Sequence, residues 1–86
     1  MEHPDKIVVV FAKRHDGGLR VYSDDVPGFL LSHLDAKAVM ADVPIALSVI
    51  MSEMYGRPLR VHFPDPEPPA LTKADQEERE YTLIAA

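Results

Sequence analysis

The stretch from Asp35 to Tyr55 constrains the fold most, because it predicts a helix with more apolar surface than an isolated helix can leave in water. At about 100° per residue, most of its large apolar side chains fall within one arc: Val39, Val43, Leu47, Ile50, Met51 and Met54, with Met40 at the edge. Asp35 is a typical N-cap residue, and Gly56 suits the left-handed residue that ends a helix. The arc is wide enough to cover a sheet, so we expect the helix to pack on one.

Pro44 lies inside this predicted helix. An interior proline removes one N–H donor and usually kinks the helix. Because the apolar arc keeps its phase on both sides of Pro44, we expect one kinked helix; two short helices that meet near Asp42 are the alternative. Ile45 and Val49 lie off the main arc, so either the tail of the chain or a second chain is expected to cover them.

Four strands are predicted around the helix: Lys6–Lys13, Leu19–Asp24, Phe29–Leu34 and Arg57–Phe63. The first is apolar on both alternating faces, which is typical of a central strand. Asp16-Gly17 predicts a hairpin with a type I′ turn between the first two strands. Pro27-Gly28 predicts a type II turn before the third, because Gly28 supplies the positive φ that this turn needs.

The element order β-β-β-α-β predicts an α+β fold over residues 1–63. A helix of this length usually connects parallel strands through a right-handed crossover, so the fourth strand is expected beside the first, in the sheet order 3-2-1-4. The single helix covers one face, and the other face needs the tail or another protomer. We therefore expect a homodimer, with an interface formed by Val8, Val10, Leu30, Leu34, Ile45 and Val49.

Residues 64–86 are predicted to form a linker and an acidic tail. The run from Phe63 to Pro69 contains four prolines, which is typical of a stiff, extended linker. Leu71–Ala86 predicts a short helix with Thr72 as its cap, and a strand added over Tyr81–Ala85 is the alternative.

The charge of the chain favours some partners over others. The formal net charge is −5, and residues 64–86 supply most of it. An acidic chain repels phosphate backbones, so direct nucleic-acid binding is not expected. A basic protein is the favoured partner, and the candidate contacts are carboxylates: Asp24, Asp25, Asp75, Glu77, Glu78 and Glu80.

The sequence also favours a compartment. The absence of cysteine fits a reducing environment. The charged start is unlike a signal peptide, and no stretch is expected to span a membrane. We expect a cytoplasmic protein.

No catalytic, metal or cofactor site is predicted. The first strand lacks the carboxylates that a metal-dependent nuclease needs, and the histidines lack the spacing of metal ligands: His3, His15, His33 and His62. The alternative is a small-ligand binder or weak enzyme in which Ser32, His33 and His62 converge in one cleft. A basic patch of Arg20, Arg57 and Arg60 beside Tyr22 is interpreted as solvated strand surface.

Between Gly18 and Tyr55 the sequence resembles the N-terminal domain of HicB-type antitoxins. The resemblance rests on a strand, the turn Asp25-Val26-Pro27-Gly28, a second strand, and Asp35 opening an apolar, alanine-containing helix. It implies a partial RNase H-like β-β-β-α-β sheet without nuclease carboxylates, in a non-enzymatic protein of a toxin–antitoxin system that oligomerises and masks a small basic RNA-cleaving toxin.

The chain departs from that family after residue 63. HicB-type antitoxins usually carry a C-terminal DNA-binding module, and Pro64–Ala86 is too short and too acidic for one. Binding to an operator is therefore not expected. A mobile-element or phage inhibitor of a host defence nuclease complex is the alternative protein-binding function.

Overall fold

The predicted helix forms without a break. The computed structural model describes residues 4–71 and 75–86, and α1 spans Ala36–Tyr55 with Pro44 inside it. The carboxylate of Asp35 accepts hydrogen bonds from the N–H groups of Lys37 and Ala38, and Gly56 ends the helix at a φ of 64°. One helix is therefore confirmed, and the alternative of two helices meeting near Asp42 is wrong.

The strands form one antiparallel sheet, which makes the fold α+β. Their bounds are β1 (Lys6–Lys13), β2 (Leu19–Tyr22), β3 (Leu30–His33), β4 (Leu59–His62) and β5 (Gln76–Ala85). The order across the sheet is β3-β2-β1-β5-β4, and every neighbouring pair is antiparallel. The two-sided apolar pattern of β1 is explained by its position in the middle of the sheet.

The C-terminal segment is the main correction to the sequence-based prediction. Residues Gln76–Ala85 form a strand, so the predicted helix is wrong and the strand alternative is confirmed over a longer stretch. Thr72, the predicted cap of that helix, lies outside the described residues. The order 3-2-1-4 is also wrong, because β5 lies between β1 and β4. In that position it gives both neighbours an antiparallel partner, whereas β1 and β4 alone would have paired in parallel, which is slightly less stable per residue.

The core lies between α1 and one face of the sheet. The buried side of the helix matches the predicted arc at Val39, Met40, Val43, Leu47 and Met51, while Met54 is 41% exposed at the helix end. The sheet contributes mainly Ile7, Val9, Phe11, Leu19, Val21, Leu59, Tyr81 and Leu83. Full burial of one large apolar side chain contributes about 1.5–3 kcal/mol before the cost of ordering it.

The two predicted turns differ in outcome. The hairpin after β1 is present, but its type I′ assignment is wrong, because Gly17 has a positive φ of 90° and Asp16 does not. Asp16 instead accepts the N–H of Gly18 through its side chain, as aspartate commonly does in turns. The second turn agrees with type II: the N–H of Phe29 donates to the carbonyl of Val26, and Gly28 has a φ of 85°.

The proline-rich segment connects two neighbouring strands and contacts the domain. Arg79 of β5 donates from Nη1 to the carbonyl oxygen of Glu67 at 3.1 Å and lies 3.9 Å from the carboxylate of Asp65. Leu71, at the other end of the segment, is half-buried against the core. These contacts hold the segment on the same side of the sheet as α1.

The expectation that no stretch could span a membrane does not hold for α1 by length and composition. At 20 residues it is long and apolar enough, by length and composition alone, to cross a membrane. Its most apolar side packs on the sheet, where Val39, Met40, Val43, Leu47 and Met51 are buried.

Candidate protein-binding face

The face of the sheet opposite α1 is the surface that this fold leaves without a covering helix. Side chains alternate between the faces of a strand, and the pairing places all even-numbered strand residues on one side. The odd-numbered residues, such as Val9 and Phe11, belong to the core beneath α1. We call the even-numbered side the open face.

A short apolar row crosses the open face. Val10 pairs with Tyr22, and Tyr22 pairs with Leu30, so the three lie side by side on adjacent strands. Leu30 is 60% exposed, whereas Val10 is 6% exposed because its neighbours cover it. The guanidinium of Arg20 lies 5.8 Å from the centre of the Tyr22 ring. This row supplies the apolar centre that a protein contact needs.

Carboxylates border the row on both sides of β1. Glu78 and Glu80 of β5 are exposed and stand directly across from Val10 and Val8. On the other side of β1, the carboxylate of Asp25 accepts the N–H of Val8 at 2.9 Å. Lys6 lies 3.3 Å from Glu80, but an exposed ion pair of this kind holds its partners only weakly. The border therefore offers acidic groups to an approaching protein.

The six predicted partner-binding carboxylates do not form one cluster. Asp25, Glu78 and Glu80 lie beside the β1 end of the apolar row, and Asp24 lies in the turn next to Asp25. Two lie elsewhere. Asp75 lines a cleft beside Lys13 at the hairpin end of the sheet, and Glu77 is on the helix side.

The six predicted interface residues are also divided. Val8, Val10 and Leu30 lie on the open face, and Leu34 follows β3 with 60% exposure. Ile45 and Val49 are exposed on the outer side of α1, across the molecule. One flat interface cannot contain both groups.

The open face is more polar than expected. β5 places Gln76 and Thr82 there in addition to its two glutamates, and β4 adds Arg60 and His62. Sequence analysis had assigned β5 to a tail, so the polar residues that this strand brings to the open face were missed. The pattern that indicates a half-buried strand here is the alternation of exposed Glu80 and Thr82 with buried Tyr81 and Leu83.

The small-ligand alternative required three side chains to converge, and they do not. Ser32 and His33 line a cleft of about 260 Å³ together with Asp42. His62 lies on β4, four strands away, which is about 19 Å at a strand spacing of ~4.8 Å. The N–H of Asp35 donates to Nδ1 of His33, which gives that imidazole a local structural role.

The basic side chains considered as a possible patch do not come together. Arg20 lies at the hairpin end of the sheet, where it lines a cleft of about 400 Å³ with Lys13, Arg14 and His15. Arg60 is on β4, on the far side of β5 from β1 and β2, and the patch with Arg20 does not form. Among residues 4–71 and 75–86, no group of three or more His, Asp or Glu side chains is placed to hold a metal ion; His3 lies outside those residues.

A partly buried polar cluster lies on the helix side of β5. Glu77 accepts a hydrogen bond from Nε of Arg79 at 2.7 Å, and the Arg79 guanidinium lies 5.1 Å from the centre of the Phe11 ring. Burial is the largest influence on the pKa of Arg79 and lowers it, but the interactions with Glu77 and with the Tyr81 side chain together more than offset this, so the net shift is upward and the group stays charged. The cluster stabilises the sheet and faces away from the open face.

Tyr81 has a different environment in the same cluster. Its hydroxyl oxygen is buried without a hydrogen-bond partner, and its ring packs 4.9 Å from that of Phe63. Burial raises the pKa of Tyr81 above its ordinary 10.0, and the nearby Arg79 guanidinium partly opposes this shift.

No family model, curated protein or solved structure matches the chain in comparisons with known proteins. The structure by itself defines a class: a small α+β domain with a five-stranded antiparallel sheet, one face of which is covered by a helix.

Proposed function

We propose that this chain is a non-enzymatic protein-binding module that masks a basic, nucleic-acid-processing partner in the manner of the HicB-type antitoxins it resembles. We propose further that the unit from β1 to β4 is a partial RNase H-like sheet into which β5 has been inserted. The observation that carries the functional proposal is the apolar row of the open face, bordered by Glu78, Glu80 and Asp25.

Charge and apolar contact have separate roles in this proposal. A basic partner is attracted by the net charge of −5 and oriented by the carboxylate border, which affects mainly the association rate and the choice of partner. Leu30 and Tyr22 then supply apolar area at the centre, where desolvated contacts contribute most of the affinity.

The test is affinity capture from the organism that encodes the chain, with charge-reversed bait. The purified chain and its Glu78→Lys/Glu80→Lys variant are immobilised, and bound proteins are identified by mass spectrometry. We expect the unmodified chain to retain a basic nucleic-acid-processing protein in low salt, and the variant to retain at least tenfold less.

Glu53→Lys is the matched control, because Glu53 is an exposed glutamate on α1, away from the open face. This variant should retain the same protein as the unmodified chain. Equal retention by all three baits, or recovery of no basic protein, would contradict the proposed function.

A further inference from the structure

The two edges of the sheet are treated differently by the fold. At the β4 edge, Ser52 of α1 accepts the N–H of Leu59 at 2.9 Å and donates to its carbonyl oxygen at 3.0 Å. Ser48 accepts the N–H of Val61 at 3.1 Å. The helix thus occupies both outward-facing backbone groups of Leu59 and the N–H of Val61, which hinders a further strand from adding at this edge.

The β3 edge has no such cover within the part of the chain that the structure describes. The N–H of Lys13 donates to the carbonyl of Asp75 before β5, so odd-numbered residues of β1 bond to β5 and even-numbered ones to β2. In an antiparallel ladder the N–H and C=O of one residue point to the same side. By the strand register, the even-numbered residues of β2 bond to β1 and its odd-numbered residues bond to β3. The N–H and C=O groups of Leu30 and Ser32 therefore point away from the sheet.

β3 also lacks the features that usually protect an edge. Natural edge strands carry charged side chains, proline or bulges that discourage pairing with another chain. The stretch from Phe29 to Leu34 contains no charged residue and no proline. Leu30 and Leu34 are each 60% exposed, and they lie two residues to either side of Ser32.

We propose that a second copy of this chain pairs antiparallel with β3 about a twofold axis at Ser32. In this register Ser32 faces its own counterpart, and Leu30 faces Leu34 of the second copy. Two exposed leucine pairs are covered, and the outward backbone groups of both copies become hydrogen bonded. The inference goes beyond the proposed function, because it concerns the sheet edge. Leu30 belongs to both surfaces, whereas Tyr22 and the carboxylate border on β5 stay accessible in the dimer.

The helix side of this edge is complementary as well. A strand added in this register places His33 of the second copy opposite Leu31, at the cleft that Asp42 lines. Because Nδ1 of His33 accepts the N–H of Asp35, Nε2 is the nitrogen that carries the proton of the neutral ring. It can therefore donate to the Asp42 carboxylate of the first copy across the interface. Both copies carry a net charge of −5, but β3 contains no charged residue, so the pairing places no like charges opposite each other on this strand.

The size of the contact sets the conditions of the experiment. Stable interfaces bury about 800 Å² on each partner, and a strand of four residues with its flanking leucines gives less. Self-association is therefore expected to depend on concentration. Sedimentation velocity over roughly 10 µM to 1 mM is the measurement, since this range brackets weak interfaces of this kind, and we expect the mass to rise from 9.6 kDa toward twice that value.

Charged variants test the register. Leu30→Lys/Leu34→Lys places lysines opposite each other in both pairs, and we expect at least tenfold weaker self-association. Leu30→Lys/Leu34→Glu removes the same leucines but places lysine opposite glutamate, so it should associate more strongly than the double lysine variant. Ser32→Pro removes an N–H that points away from the sheet, which an edge strand tolerates. This variant should also be monomeric, and it replaces the double lysine variant in the test if that variant does not fold.

Ile45→Glu is the control, because Ile45 is an equally exposed apolar residue on the outer side of α1. It should leave self-association unchanged. A chain that stays monomeric at every concentration overturns the proposal, even if a foreign extended peptide adds to β3. Loss of the dimer in Ile45→Glu but not in Leu30→Lys/Leu34→Lys also overturns it, and equal association of the two double variants overturns the Ser32-centred register.

Discussion

The ring of Tyr81 is well packed in the core, but its buried hydroxyl has no hydrogen-bond partner among the described residues. Its ring packs against Phe63 and lies 6.4 Å from Phe11, while its hydroxyl has no partner in the described residues. A buried unsatisfied hydroxyl costs about 1–3 kcal/mol. The aromatic packing must outweigh that cost for the residue to be stable there.

Tyr81→Phe is expected to keep or raise stability by up to about 1 kcal/mol at neutral pH, because it removes the unpaired hydroxyl and keeps the ring. The folded state holds the Tyr81 proton more tightly than the unfolded chain, whose pKa is near 10.0. Its contribution to stability is therefore full below pH 10.0 and is lost as the pH rises through the raised folded pKa. Urea unfolding at pH 7 and above pH 10 measures both effects.

Between pH 7 and a pH above 10, the free energy of unfolding should fall less for Tyr81→Phe than for the unmodified chain. Tyr22→Phe, on the open face, is the matched control, because it removes a tyrosine hydroxyl that lies outside the core. A Tyr81→Phe variant that is destabilised by more than about 1 kcal/mol at neutral pH would show that the hydroxyl has a favourable partner.

At the scale of elements, α1 both covers the core and closes one edge of the sheet. Ser48 and Ser52 lie four residues apart on one side of α1, so both reach β4. Serine is usually unfavourable inside a helix, because its hydroxyl competes with the backbone for hydrogen bonds. Here the two hydroxyls bond to the backbone of β4.

Ser52→Ala is expected to lower the free energy of unfolding by about 1–2 kcal/mol, because it leaves both the N–H and the C=O of Leu59 without partners. Ser32→Ala, at an exposed position on β3, should change it by less than about 0.5 kcal/mol. Urea unfolding of both variants at one fixed protein concentration measures the difference. Equal effects would contradict the assignment of the β4 edge to α1.

Local signals explain why α1 could be predicted and β5 could not. Asp35, Gly56 and the apolar arc are all contained in one stretch, so the helix and its ends followed from the sequence. Gln76-Glu77-Glu78-Arg79-Glu80 consists of residues with good helix propensity. Its place between β1 and β4 overrides that propensity, because a strand there gives hydrogen-bond partners to two neighbours at once.

At the scale of the whole molecule, the position of β5 decides the character of the open face. The acidic residues were recognised in the sequence, but which of them share a face depends on the register of β5. That register places Glu78 and Glu80 beside the apolar row and turns Glu77 toward Arg79. The acidic character of the open face could therefore be predicted, but which residues share that face could not.

The position of β5 is also the claim on which the open face and its carboxylates depend, and NMR measures it directly. Even-numbered residues of β1 form the non-hydrogen-bonded pairs with β5, whose Cα atoms lie close together, at about 4.5 Å. We expect strong Hα–Hα cross-peaks between Val8 and Glu80, between Val10 and Glu78, and between Val61 and Leu83 of β4 and β5. Cross-peaks that join β1 directly to β4, with none to residues 76–85, would contradict this strand order.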